Sequence, residues 1–490
     1  MLLVHPFYEL LRQLPWLVGA VVLGSTTGNP WWAVAVLAAT LALGVARWFT
    51  TSYRIEGDPE TGQVQLRAGV LQRTVLSVPR NRIRSVQTDA RLLHRLLGLA
   101  VLRLSTGRAD GSGAAVFELD AVEVSQVPRL RAILLAESAQ PACRPSSAPA
   151  TVLARWHPSW LRYAPLSLSG VVTIAAGAGA LYETGLDAPL RNSRLGRWGW
   201  DVAERLGAAP SAAVVAAAVL VVGAALAVLR SLVTYGDLVL QRRGDVLHLR
   251  HGLLRVREHT YDMSRLRGGT LRQPLLVRGL GGARLDAVMT GVHGAGESSV
   301  LLPPCPTATA ESVLTGLVGH REAVSGPLRG HGRRAARRRW TRALLVPAAA
   351  GAGLAAATAL SGTEGVPAWL WPAWVAVVLW CMLLAADRVR ALGHRVDPHW
   401  LVTRAGSLQR RRTCLATAGI VGWTVRQTPL QRRARVVTLI AATAAGVKRY
   451  PLIDVPVTQA WSIAATASPW VAESVWAIRP RGLSPGHAPP

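Results

Sequence analysis

The stretch LRAGVLQRTVLSVPRNRIRSVQTDARLLHRLLGLAVLRL, from Leu66 to Leu104, decides the fold because it occurs three times. LRHGLLRVREHTYDMSRLRGGTLRQPLLVRGLGGARLDA, Leu249 to Ala287, aligns with it without a gap at an offset of 183. Gly69 then meets Gly252, Arg82 meets Arg265, Arg84 meets Arg267, Arg95 meets Arg278 and Gly98 meets Gly281. VTRAGSLQRRRTCLATAGIVGWTVRQTPLQRRARVVTLI, 402–440, aligns at an offset of 337, so that Gly69 meets Gly406, Arg73 meets Arg410 and Arg95 meets Arg432. Self-similarity at long, near-constant spacing marks a repeat architecture.

Within the first copy, QVQLRAGVL (63–71), RTVLSVPR (73–80), IRSVQTD (83–89) and VLRLST (101–106) alternate or cluster β-formers between turn residues, which predicts strands. The glycines Gly69, Gly98, Gly252, Gly281 and Gly406 are expected at turns or bulges where φ is unusual. VEVSQVPRLRAILLA (122–136) has apolar residues at helical spacing and reads as a closing helix. LLHRLLGL (92–99) reads either as a short helix or as the edge of the core, the latter preferred. At about 80–90 residues, each copy is long enough for a core of its own.

Between the copies lie long apolar runs. Half of the 490 residues are hydrophobic and only 17% are charged, below the roughly 25% of soluble proteins. Six spans are expected, at 14–29, 31–48, 163–182, 208–229, 342–361 and 367–386, each near the roughly 20 residues a crossing needs. They fall in three pairs, one before each copy. The resulting division is helix pair 1–48, soluble domain 49–137, linker 138–155, helix pair 156–233 with outer loop 183–207, soluble domain 234–320, basic linker 321–340, helix pair 341–386, soluble domain 387–480 (divergent) and tail 481–490. The expected class is therefore an α+β membrane protein.

The net charge is +28, from 55 Lys and Arg against 27 Asp and Glu. All but four of those 55 lie on one side of the expected spans, the exceptions being Arg191, Arg194, Arg197 and Arg205 in the 183–207 loop. Basic loops stay cytoplasmic, which places both termini and all three soluble domains inside, in a multipass protein of the bacterial cytoplasmic membrane. The centres of the spans hold no ionisable residue, which argues against a pump or ion-coupled carrier.

Chemical motifs are absent. The single lysine, Lys448, excludes a phosphate-binding Gly-Lys-Ser/Thr loop, and there is no H-E-x-x-H or G-x-S-x-G. The four cysteines form no C-x-x-C pair. His248 and His251 lie three apart on an expected strand, hence on opposite faces, and read as surface residues. No catalytic residue, metal or cofactor is expected. What remains is basic charge: Arg80, Arg82 and Arg84, with Arg95, in the first copy, Arg265, Arg267 and Arg278 in the second, Arg410, Arg411 and Arg412 in the third, and RRAARRRW (333–340) before a span. These are candidates for a surface facing anionic lipid or a partner. Structural use as carbonyl caps is the competing reading, and for RRAARRRW simple topology. Segment 66–104 has no aromatic residue to stack on bases, so no nucleic-acid partner is expected.

The run 78–106 resembles bacterial pleckstrin-homology-like membrane proteins of the YdbS/YdbT type. Pro79, Arg82, Ile83, Ser85 and Val86 match that family's first motif, and Leu92, Arg95, Gly98 and Leu99 its second. The second copy has Asp262 in place of Pro79, and the third has Ala416 and Gly419 in place of Pro79 and Arg82. The resemblance implies a PH-like, partly open β-barrel capped by a C-terminal helix after each helix pair, and no enzymatic activity. The expected role is that of a membrane scaffold or adaptor, with envelope maintenance as its expected setting. Its partners would be anionic inner-leaflet lipids, another PH-like membrane protein or a further copy of itself. The alternative is lipid or small-molecule transport through the six-helix bundle.

Overall fold

The computed structural model describes the strands between residues 52 and 123, most of 124–130, and residues 150–167, 207–290 and 299–473, with scattered positions elsewhere. The first copy contributes β1 (Ser52–Glu56), β2 (Gln63–Ala68), β3 (Thr74–Pro79), β4 (Ser85–Ala90), β5 (Leu99–Ser105) and β6 (Val116–Glu123). After β7 (Thr151–Arg155), the second contributes β8 (Val239–Arg243), β9 (Val246–His251), β10 (Val256–Asp262), β11 (Leu266–Pro274), β12 (Gly282–Met289) and β13 (Val300–Pro306). The third contributes β14 (Gly393–Val396), β15 (Trp400–Ala405), β16 (Gln409–Ala416), β17 (Ile420–Arg426), β18 (Val436–Thr443) and β19 (Arg449–Pro456). The helices are α1 (Ala208–Tyr235), α2 (Leu275–Gly279), α3 (Thr307–Val318), α4 (Gly332–Gly365), α5 (Leu370–Ala391), α6 (Pro429–Ala434) and α7 (Val457–Ala467).

Each repeat is thus six strands, followed in the second and third by a helix. Of the four strands expected in the first copy, three begin and end within two residues of the expectation, while β2 ends three residues early, at Ala68. The sheets do not follow the repeats. Each repeat divides into two three-stranded halves, and all pairing is antiparallel. The second half of the first repeat continues into the first half of the second, giving the seven-stranded order β6-β5-β4-β10-β9-β8-β7. The second half of the second repeat continues into the first half of the third, giving β13-β12-β11-β16-β15-β14. The outer halves, β1-β2-β3 and β17-β18-β19, form separate three-stranded sheets. Strands from 49–137 and 234–320 share one sheet, and strands from 234–320 and 387–480 share another.

The chain accordingly forms two compact bodies. One holds residues 1–155 and 233–264; the other holds 156–232 and 265–490. In the first, Leu102, Leu240, Leu247 and Leu249 are fully buried along the seven-stranded sheet. In the second, Leu401, Leu439, Ala441, Leu452 and Val455 pack with Ile463 and Ala464 of α7, the apolar face of a closing helix. Each fully buried aliphatic side chain contributes about 1.5–3 kcal/mol relative to exposure.

Three helices are long and apolar enough to cross a membrane: Ala209–Tyr235, Gly332–Leu360 and Leu370–Ala391. Their apolar windows are almost entirely uncovered by protein, as lipid-facing helices require. The expected spans 14–29 and 31–48 lie outside the described residues, as does part of 163–182, in which a short 3-10 helix at Pro165–Ser167 and helical residues at 172–176 are described. Helix α4 begins at Gly332, so RRAARRRW is its first turns, and with a short helix at Arg321–Ser325 most of the segment read as a linker is helical. A short pairing brackets each of the two later expected helix pairs. Strand β7, before the second pair, bonds to β8 after it. Arg329, before the third, exchanges backbone hydrogen bonds of 2.8 and 3.0 Å with His394 after it.

Gly98, Gly252, Gly281 and Gly406 all have positive φ; Gly69 lies outside the described residues. Gly252 and Gly406, at φ of 104° and 101°, occupy the same repeat position, and a β-carbon there would strike the carbonyl oxygens of Arg255 and Gln409. Gly406→Ala should therefore cost about 1–3 kcal/mol. In thermal unfolding of the detergent-solubilised protein its Tm should fall by several degrees, while Gly353→Ala, at an open helical position, leaves it unchanged.

Candidate functional site

The arginines singled out by sequence meet different fates. Arg80, Arg82 and Arg84 lie outside the described residues. Arg95 donates to the carbonyl oxygen of Leu253 at 2.9 Å, holding the β9–β10 turn from the neighbouring repeat. Arg265 is half-buried, and its carbonyl accepts from Thr290 N–H at 3.1 Å. The Arg267 side chain lies over Gly419. Arg412 donates to the carbonyls of Ala323 and Gly326 at 3.3 and 3.0 Å, and burial holds its guanidinium below the usual arginine range. Carbonyl capping is thus observed for Arg95 and Arg412.

Arg278 and Arg410 converge. From α2 and β16 they reach opposite oxygens of Asp387 at 2.9 and 2.8 Å. Asp387 sits in the last turns of α5, next to Arg388, which donates to Ser407 Oγ at 3.2 Å. The C-terminal end of a membrane-length helix is thereby tied to the second and third repeats at once. RRAARRRW does the same at the start of α4: Arg338 and Arg339 both pair with Asp454 of β19, which is 1% exposed and also accepts from Gln431 at 3.0 Å. Asp454 stands at φ 60°, a strained setting for a non-glycine residue that this convergence of donors maintains.

These two carboxylates escaped the sequence reading because isolated acidic residues carry no local pattern. A third is Asp89, at the joint of the first two repeats. It accepts from Arg255 Nε at 2.6 Å, with Arg103 at 3.7 Å. Burial alone would raise its pKa, but the Arg255 hydrogen bond and the charges of Arg255 and Arg103 bring it below the ordinary carboxylate value.

Beside the β11–β16 joint is a cavity of about 360 Å³. Its lining includes Thr270, Thr413, Arg272, Asp286, Arg411, Arg449 and Tyr450. Thr270 and Thr413 hydrogen-bond to each other across the joint at 3.1 Å. Arg272 and Arg284 both pair with Asp286, which is 2% exposed, so its charge is spent. Arg411 and Arg449 are exposed at the rim, leaving the cavity basic. Gly406 and Gln409 also line it, in the turn held to α5 through Ser407 and Arg410. The cavity therefore lies close to the C-terminal end of the membrane-length helix α5. Neither Arg272 nor Arg449 was among the sequence candidates.

The histidines also differ from expectation. His251 is buried, not a surface residue: its Nδ1 lies 2.8 Å from the carbonyl of Thr234 at the end of α1. It stacks in a row Tyr235–His251–His259–Tyr261 with ring centroids 5.7–5.8 Å apart. Burial, with the neighbouring His251 and Arg257 charges, pushes His259 down to about 3. In the third repeat, burial and His331 push His394 down to about 4. Among the described residues no three His, Cys, Asp or Glu side chains converge as a metal site would require.

Membrane-length helices, antiparallel sheets shared between repeats and a basic cavity at a helix base define a membrane-associated protein with a repeated β module. The family described as Bacterial PH domain matches residues 10–138 and 344–467, just over half of the sequence, and the chain belongs to that family. No curated protein and no solved structure matches the chain.

Two outcomes follow. Replacing Asp387 by Asn leaves the half-buried Arg278 and Arg410 without their counter-charge, which should cost about 1–3 kcal/mol and lower Tm in a melting experiment; an unchanged Tm would show the clamp to be dispensable. His259 and His394 are neutral when folded and have depressed pKa values, so the unfolded chain binds more protons between pH 6.5 and about 4. Stability is complete above pH 6.5 and declines as pH falls below it. Melting scans from pH 7.5 to 5 should show that decline, and His259→Gln should flatten it.

Proposed function

We propose that the chain is a multipass protein of the bacterial cytoplasmic membrane whose PH-like repeats face the cytoplasm and act, without catalysis, as a scaffold that engages anionic lipid headgroups. Within its family the helix pair expected before each repeat fits the YdbS/YdbT type. The observation that carries the reading is the basic cavity beside the β11–β16 joint, with Arg411 and Arg449 at its rim and its turn tied to α5. A headgroup phosphate at the inner leaflet meets the ends of the membrane helices, which is where this cavity opens. Each basic residue near an anionic surface contributes roughly 1 kcal/mol. The shared sheets support the scaffold role, since each joins strands of two repeats into one surface.

The purified protein in neutral detergent, titrated with short-chain phosphatidylglycerol, should gain a few degrees in Tm through preferential binding to the folded state. Short-chain phosphatidylcholine should not give that gain. The double substitution Arg411→Glu and Arg449→Glu should remove most of the response. Equal responses to the two lipids, or an unaltered response in the double variant, would discard the headgroup reading, and turnover of a substrate by the purified protein would discard the scaffold.

A further inference from the structure

The two joints between repeats obey one rule. In each, the third strand of a repeat pairs with the first strand of the preceding repeat's second half: β10 with β4, and β16 with β11. Placed in the numbering of the first repeat through the offsets 183 and 337, the two registers are the same to the residue. Glu258 faces Thr88 at the first joint, and Arg412 faces Leu271 at the second. Both Glu258 and Arg412 correspond to Val75, while Leu271 corresponds to Thr88.

Two strands in corresponding positions are not joined in this way among the described residues. Strand β3 is the third strand of the first repeat, and β17 opens the second half of the third repeat. Among the described residues β3 pairs only with β2, and β17 only with β18. The surface of β17 bears this out. Val425 stands at the position of Thr88 and Leu271, which are 8% and 2% exposed where the joint is made, yet Val425 itself is 38% exposed. On the other strand, Val75 is 60% exposed. An open edge with apolar side chains invites another strand. Neither β3 nor β17 carries a lysine, and Pro79, which could not donate, falls beyond the stretch that pairs at the two existing joints.

We propose that β17 of one copy pairs antiparallel with β3 of a second copy, in the register of the two internal joints, so that copies associate head to tail. That register sets Val75 opposite Val425, Thr74 opposite Arg426 and Val78 opposite Gly422. The partner is a second copy because this chain carries both halves of the joint, each matching the half that its own repeats already use. The Glu–Thr and Arg–Leu pairs of the internal joints become a Val–Val pair at this one, and its desolvation favours association. The proposal deepens the scaffold reading by naming its partner and rests on that reading for its biological sense, while its geometry comes from the strand registers alone.

The test uses two full-length copies, differently tagged and co-expressed, with Cys143→Ser and Cys381→Ala as background. One carries Val75→Cys and the other Val425→Cys. Mild oxidation of native membranes should give a covalent dimer bearing both tags. Val75→Cys against Thr424→Cys should give at least about fivefold less, because neighbouring residues on a strand face opposite sides. Val425→Lys, at an exposed position that does not endanger folding, should shift the purified protein from larger species to monomer in native mass measurement. Absence of the two-tag product above the Thr424 control overturns the proposal. So does a link formed only within a single chain carrying both cysteines, which would mean internal closure, and so does a link only to a different protein. None of these outcomes depends on the lipid titration or on substrate turnover, so the joint and the scaffold reading can fail separately.

Discussion

The fold depends on the obligation of every strand edge to find a partner. A buried backbone N–H or C=O left without one costs as much as a lost hydrogen bond. Six strands per repeat could meet that obligation by curling on themselves; this chain meets it by lending half of each repeat to the next. Strand β4 is completed by β10 and β11 by β16, so the central repeat is divided between the two compact bodies. Side chains reinforce the arrangement. Asp89 with Arg255 ties the first joint and the Thr270–Thr413 hydrogen bond the second, so each joint carries a polar contact that a shifted register would break.

The same economy governs charge. A strongly basic chain suggests a large surface awaiting an anion, but among the described arginines many are already engaged. Asp387, Asp454 and Asp286 each gather two guanidinium groups at the foot of a helix or within a sheet. Such buried clusters are weak contributors to net stability but severe when broken, because one partner lost leaves a charge stranded. They serve better as locators, fixing where a membrane helix meets a sheet. The basic residues left at the surface are fewer and more localised, and those at the cavity rim are the ones whose position gives them something to bind.

Much of the secondary structure was legible because the repeats align without gaps. Alternation in QVQLRA and TVLSVP, glycines at matching positions and the apolar spacing of the closing helices are local signals, and local signals survive in sequence. LLHRLLGL was harder; its counterparts at Leu275–Gly279 and Pro429–Ala434 are short helices, and eight apolar-rich residues look alike in either state. Which strand pairs with which was not legible at all. Strands β4 and β10 lie far apart in the chain, and nothing in either names the other. The roles of Arg95 and Arg412 were hidden for a related reason: an arginine that caps a distant carbonyl has the same sequence context as one that faces a phosphate. The acidic partners were missed because each stands alone in the chain and becomes a cluster only in space.

The lending of half-repeats has a consequence for synthesis. Asp89 and Arg255, which meet at the first joint, are 166 residues apart. At about 5–20 residues per second, the ribosome takes roughly 10–30 s to cover that distance. Throughout that interval β4 emerges complete but without its neighbour, while the membrane-length helix α1 is still to be made. The wait recurs when β11 stands ready and β16 has not yet been made. Neither delay can be shortened by faster folding, since the missing strand does not exist. A nascent chain of this design needs its edges shielded, by the translocation machinery, by a chaperone or by the membrane surface itself. Its yield in the cell is then governed by the timing of insertion as much as by the stability of the finished fold.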